Sequence, residues 1–370
     1  SSLHVRIALK TIILFGNTRK SLLMCLIFST AFFSMWLSNT ATCLLMLPIV
    51  KYIIDQDFRK KDDLFFSKLI LLSIAYSASI GGMATPIGTI PNAIFIGFMN
   101  EQYNLRIDFV NWVFFALPIV ISLLLILWLI FSHKFSSNNK KINKDNILKK
   151  YSELGKFSSE EKIAVFILTS TALLWIFKSR LNDYFSLDLN DASIAIFGGV
   201  CFFIFPGKSK DFSILDSSWF KSVPWNVLIL FGGGLSLASL IVNTGLSDEL
   251  SKFLGFMREI PMLFLILGFC FLISILTEFI SNTATTFLFL PIVSSFALNN
   301  EMSPILLCLP GVLAASCAFM MPISTPPNAI IYSTERLTIP FMITIGSVMN
   351  IIAVLLISFY VIYFGKFFYV

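Results

Sequence analysis

Runs without a single charged residue recur along the whole of this chain, and several approach the roughly 20 residues a helix needs to cross a hydrocarbon layer. Inside such a layer every backbone N–H and C=O must be satisfied within the protein, which leaves helices or a closed barrel. A barrel strand alternates apolar and polar residues over about ten positions. Leu123 to Phe131 is continuously apolar and rich in Leu and Ile, so the prediction is helices. Of the 370 residues, 56% are hydrophobic and 13% charged, the latter about half the share in a soluble domain. The predicted fold class is an all-α polytopic membrane protein.

Apolar blocks are predicted from Ser21 to Ile54, Leu64 to Met99, Trp112 to Phe131, Pro261 to Ala297, Ser303 to Tyr332 and Ile339 to Phe364. Shorter spans are predicted at Ile163–Lys178, Asp191–Phe205 and Val223–Val242. The net charge of +6 sits in the gaps between these blocks. The basic loops 51–68, 133–162 and 207–221 are placed on the cytoplasmic side, which argues against a nucleic-acid partner. Loop 133–162, with eight lysines against four acids, is the one clearly soluble piece. Short loops and the lack of a signal peptide suggest a bacterial inner (plasma) membrane. The six cysteines form no C-x-x-C pair and lie in apolar stretches, so they read as buried thiols. His4 and His133 lie outside the apolar runs, which disfavours a His-based metal or catalytic site.

Two apolar blocks carry nearly the same interruption. Trp36 to Val50 reads WLSNTATCLLMLPIV and Phe279 to Val293 reads FISNTATTFLFLPIV, identical at ten of fifteen positions. Each copy is followed by a second matched run: PIGTIPNAI at Pro86 to Ile94 and PISTPPNAI at Pro322 to Ile330, identical at seven of nine. Five crossings are counted between the two S-N-T runs, an odd number, so the halves enter from opposite sides. The expectation is an inverted-topology repeat, with residues 1–132 as the first repeat, 133–162 as a cytoplasmic loop and 163–370 as the second repeat.

A helix broken in the bilayer exposes backbone polar groups that persist only where they are buried or line a cavity. Exposed N–H groups at a helix start attract an anion. Free carbonyls and Ser, Thr or Asn oxygens suit a hard cation. Two copies would make two cation sites flanking one anion site. A single S-N-T run is more often helix–helix glue, and a single T-P-x-G run is usually a proline kink. Four such elements, paired in the same order, favour binding. Glu278, three residues before Ser281 in an apolar block, is a functional candidate by default. Its bland alternative is a structural partner for a polar group of the scaffold.

These residues resemble the divalent anion:sodium symporter family of dicarboxylate and citrate transporters. The resemblance rests on SMWLSNT (Ser34 to Thr40), TPIGTIPN (Thr85 to Asn92), TEFISNT (Thr277 to Thr283) and STPPN (Ser324 to Asn328). It implies two re-entrant helical hairpins with S-N-T at their tips and two broken transmembrane helices. Carried over by position, Ser34, Ser38, Asn39 and Gly88 would surround one Na+, and Thr277, Ser281, Asn282 and Ser324 a second. Ser38, Asn39, Thr40, Thr89, Ser281, Asn282, Thr283 and Thr325 would contact the substrate anion. Two departures stand out: Ser324, where relatives often have a small apolar residue, and Ile90, where the second half has Pro326. The resemblance further implies co-transported Na+ without an organic cofactor, a homodimer in the bilayer, an elevator movement, and helices preceding the first motif that this chain lacks.

The expected function is therefore sodium-coupled symport of di- or tricarboxylates, not enzymatic catalysis. Proton coupling or anion exchange, for instance of sulfate or citrate with Glu278 titrating, is an alternative. An inactive scaffold fragment is another. A membrane hydrolase using an S-N-T serine would need a base in reach, and Glu278 is the sole nearby candidate.

Overall fold

The computed structural model describes residues 3–57, 63–134, 144–207, 214–215, 219–223, 225–253 and 255–369. Among the described residues the chain is helical throughout, without a strand. In chain order the helices of the first part are α1 (Leu3–Phe15), α2 (Arg19–Ser34), α3 (Asn39–Asp57), α4 (Leu64–Gly82), α5 (Ile90–Tyr103), α6 (Phe109–His133) and α7 (Asp145–Glu153). Then come α8 (Ser159–Phe185), α9 (Asp191–Ile204), α10 (Trp219–Ser222), α11 (Trp225–Asn243) and α12 (Leu246–Phe253). The last are α13 (Met262–Phe279), α14 (Asn282–Asn299), α15 (Pro304–Ala315), α16 (Pro326–Tyr332) and α17 (Ile339–Tyr369).

Five of these helices, α4, α6, α8, α13 and α17, are long and apolar enough to cross a membrane. Their surroundings differ sharply. The apolar window of α4 is 83% buried, whereas that of α8 is 17% buried. The α4 sequence explains its position: Ser73, Ser77, Ala78, Ser79, Gly81 and Gly82 are small, and small residues let membrane helices approach closely. At Gly81 a Cβ would stand 2.4 Å from the Ala31 carbonyl of α2, so only glycine permits this approach. Exposed Phe166, Leu173 and Ile176 on α8 need no protein partner in lipid.

The predicted span 163–178 proves to be the middle of a 27-residue helix. Its start is set by a capping box, in which Ser158 Oγ accepts from Glu161 N at 3.1 Å and Glu161 accepts from Ser158 N at 2.9 Å. Lys178 does not end it, because its ammonium pairs with Asp108 (2.5 Å) and Asp191 (2.9 Å) and the helix continues to Ser186 in the left-handed conformation. These ion pairs, with Phe109 stacked on Trp175, tie α8 and α9 to the start of α6. At the other end of α8, Arg6 pairs with Glu161 at 3.4 Å and donates to the carbonyls of Leu154, Gly155 and Lys156. The predicted soluble loop 133–162 contains α7. Its residues 135–143, the basic run Arg59 to Lys61, and 208–213 lie outside the described residues.

The breaks fall where the motifs stand. Helix stops after Ser34 and resumes at Asn39; it stops after Phe279 and resumes at Asn282. Residues 83–89 separate α4 from α5, and residues 316–325 separate α15 from α16. Each short helix after a proline break packs on the other half of the chain: α5 on α14 and α15, α16 on α3 and α4.

Candidate functional site

The site is built where α2–α3 and α13–α14 turn around their S-N-T runs, each beside a proline break. In the first copy Ser34 Oγ donates to the Ala78 carbonyl (2.6 Å) and lies 2.8 Å from the Asn39 side-chain amide. The same amide atom is 3.0 Å from the Ala78 carbonyl and 3.3 Å from the Gly88 carbonyl. Turned one way, the NH2 of Asn39 donates to all three. Turned the other way, Oδ1 completes a group of four oxygens that holds one proton, on Ser34. With Oδ1 inward the group presents the neutral oxygens that suit a small hard cation.

The second copy repeats the geometry with other atoms. Thr277 Oγ1 is 2.7 Å from Asn282 Oδ1 and 2.8 Å from the Ala315 carbonyl. A hydroxyl has one proton and here faces two acceptors, so this cluster too is poor in protons. Thr277 is fully buried. With the Asn39 oxygen turned inward, both clusters offer Na+ converging neutral oxygens.

Each break is held open by an asparagine of its own N-A-I run. Asn92 Nδ2 donates to the carbonyls of Gly82 (3.2 Å), Met83 (3.3 Å) and Thr85 (2.8 Å). Asn328 Nδ2 donates to the carbonyls of Ala318 and Met321 (both 3.1 Å) and to Ser324 Oγ (3.2 Å). Such donors replace the helical hydrogen bonds that a break removes. The breaks also meet each other: Tyr76 Oη donates to the Phe319 carbonyl (2.7 Å), and Cys317 Sγ lies 3.9 Å from Met83 Sδ. Gly88 lies so close to Gly82 that a Cβ would stand 2.4 Å from the Gly82 carbonyl.

The remaining predicted residues are placed as follows. Ser38 and Ser281 are exposed, and their hydroxyls accept from Ala41 N (3.3 Å) and Ala284 N (3.2 Å), capping α3 and α14. Thr40 is half-buried and Thr283 buried, each in the first turn after its serine. Thr89 and Thr325 are the N-cap residues of α5 and α16; Thr325 Oγ1 accepts from Asn328 N (3.3 Å). Ser324 Oγ turns away from Thr277, donating to the Met321 carbonyl (2.7 Å) and accepting from Asn328 Nδ2 (3.2 Å). Sequence reasoning missed the carbonyls of Ala78 and Ala315, because a carbonyl leaves no residue signature. It also missed the clamping role of Asn92 and Asn328, although both stand in the repeated PNAI run. Glu278 is fully buried and both its carboxylate oxygens accept hydrogen bonds, from Met320 N, Met321 N and Asn350.

Broken helices meeting at two matched polar clusters, in a chain of long apolar helices, point to a multi-pass membrane protein of the transporter class. The chain belongs to the sodium:sulfate symporter transmembrane region family, whose sequence pattern matches residues 1–370. It is 35% identical over 370 residues to a Staphylococcus saprophyticus sodium-dependent dicarboxylate transporter, SdcS, covering 96% of this chain and 71% of that protein. It is also 35% identical over 376 residues to the Staphylococcus aureus SdcS, covering 98% of this chain and 72% of the relative. Family and relatives are membrane transporters, not enzymes, and the relatives are bacterial.

Proposed function

We propose that this chain carries out sodium-coupled symport of dicarboxylate anions, with one Na+ at each oxygen cluster and the anion between the S-N-T tips. The observation that carries the reading is the recurrence of one polar cluster in both halves, each built from a hydroxyl, an asparagine side chain and an alanine carbonyl. The 35% identity to sodium-dependent dicarboxylate transporters supports the choice of ion and substrate class.

The chemistry follows from the order of events. Na+ at the first cluster turns the Asn39 oxygen inward and so sets the hairpin tip. Asn282 does the same with Thr277 at the second. The ordered tips then present the unpaired first-turn N–H groups of α3 and α14, with Thr40, Thr283, Thr89 and Thr325, to the two carboxylates. The two breaks, which meet at Met83, Cys317 and Phe319, move together. Helices α8, α9 and α11, with their large exposed apolar faces, act as the fixed frame of an elevator and face a second copy in a homodimer. The two halves are read as inverted repeats and the S-N-T turns as re-entrant hairpins. Tricarboxylates are admitted by the same oxygens and N–H groups.

Uptake of labelled succinate into proteoliposomes, with and without an inward Na+ gradient, tests this. Uptake that requires Na+ supports the reading. Uptake that ignores Na+ and follows a proton gradient overturns it.

A further inference from the structure

The two clusters are alike in their neutral oxygens and unlike in charge. Glu278 follows Thr277; in the first half the residue following Ser34 is Met35. Glu278 is 0% exposed. Its Oε1 accepts from Met320 N (2.9 Å) and from Asn350 Nδ2 (2.8 Å), and its Oε2 accepts from Met321 N (2.9 Å). Asn350 Oδ1 in turn accepts from Phe319 N (3.2 Å). Three consecutive backbone N–H groups of the second break are therefore held by one carboxylate and one amide. The first break is held by neutral groups alone: Trp112 Nε1 donates to the Met83 carbonyl (3.0 Å) and Thr85 Oγ1 to the Met35 carbonyl (2.5 Å).

Among the described residues Glu278 forms no ion pair. Three hydrogen bonds satisfy its lone pairs and leave its charge uncompensated, which is costly for a fully buried group. The cluster that lacks protons, Thr277 Oγ1 with Asn282 Oδ1 and the Ala315 carbonyl, adjoins it in the chain. We propose that Glu278 is a positioning residue whose fixed charge makes the second cluster the tighter of the two Na+ sites, filled before the first. The proposal rests on the sodium-coupled reading above. A cation bound there is the missing countercharge of the carboxylate, and the same carboxylate holds the break that begins directly after Ala315, whose carbonyl completes the cluster. At the first cluster, with Met35, the cation has only neutral ligands.

The test is sodium titration of the thermal stability of the purified protein in detergent, with choline keeping ionic strength constant. Because Na+ binds the folded state, stabilisation begins at the concentration set by the tighter site. In Glu278→Gln this onset moves to about tenfold higher Na+, the effect of removing one nearby charge. Ser34→Ala leaves the onset unchanged and reduces the stabilisation reached at saturating Na+. Asn350→Ala keeps the charge; it lowers the baseline melting temperature without moving the onset. The proposal is overturned by an onset that is the same in Glu278→Gln as in the unmodified protein. An equal shift in Asn350→Ala overturns it as well, since packing would then explain both. Should Glu278→Gln fail to fold, Ser34→Ala still decides: loss of the low-concentration onset in that variant makes the first cluster the tighter one. No sodium-specific stabilisation in the unmodified protein overturns the sodium-coupled reading itself.

Discussion

Asn39 and Asn282 occupy equivalent places in the two S-N-T runs and each brings its side-chain oxygen to a hydroxyl five residues earlier. Replacing either by alanine removes one side-chain oxygen from its cluster. Asn39→Ala and Asn282→Ala are each expected to abolish Na+-dependent uptake while the protein still inserts, measured in proteoliposomes; wild-type uptake in both would remove these residues from the site. Gly88 is constrained by space rather than by chemistry. A methyl there meets the Gly82 backbone at 2.4 Å, so Gly88→Ala costs about 1–3 kcal/mol of stability by overpacking. Its uptake falls with it, because the Gly88 carbonyl is part of the first cluster. Trp112→Phe keeps an aromatic side chain but removes the donor to the Met83 carbonyl, which then retains only the Asn92 amide; the expected loss is about 0.5–1.5 kcal/mol for the hydrogen bond, added to the cost of the smaller buried ring, and an unchanged melting temperature would show that the break is held without it.

At the scale of elements, membrane helices are sorted by what covers them. Helix α4 is apolar or small on every face and sits at the centre; α8 shows lipid most of its surface. Polar side chains decide how α8 is anchored. Arg6 spends its guanidinium on three carbonyls of residues 154–156 and on Glu161. Arg6→Ala leaves Glu161, which is 2% exposed, without its cation. The expected cost is about 3–5 kcal/mol, the price of stranding a buried charge, read as a drop in melting temperature. Glu161→Gln retains an acceptor for the Ser158 N–H and is expected to cost less. The sequence pattern placed α11 within two residues at either end and α9 within one, because hydropathy changes abruptly there. It shortened α8 because Lys178 looks like a membrane boundary until its two aspartates are brought beside it.

For the whole molecule, the exchange of short helices between halves is the organising feature. Helix α5 lies on α14 and α15, and α16 on α3 and α4, so each break is followed by a helix packed on the other half of the chain. The Arg336–Asp55 pair, 2.6 Å apart, joins the end of α3 to the segment before α17. Both side chains are more than a third exposed, so Asp55→Asn is expected to change stability by less than about 1 kcal/mol. The pair serves better as a probe. A flexible cross-link between Asp55→Cys and Arg336→Cys, made in the Cys-free background, is expected to leave Na+-dependent uptake intact if, as proposed above, both positions move as one body. Loss of uptake on cross-linking, restored when the linker is cleaved, would mean that the halves separate during transport.

What the residues in order determined by themselves was the class of protein, the number of motif copies and where each helix breaks. Hydropathy, proline and the repeated S-N-T run are properties of the linear chain, and Asn39 and Asn282 stood out from them; Gly88 was named only by what the family resemblance implies. Only the tertiary structure decided which atoms complete the clusters. The carbonyls of Ala78 and Ala315, the amide of Asn350 and the hydroxyl of Tyr76 come from helices distant in the chain, and their neighbours in sequence do not mark them. Ser38 and Ser281 show the converse: the motif marks them, and the fold uses their hydroxyls as helix caps. Glu278 joins both lessons. Its place in an apolar block singled it out, but two of its three donors are N–H groups that a broken helix from elsewhere in the chain must satisfy away from water, and the third is the Asn350 amide of α17.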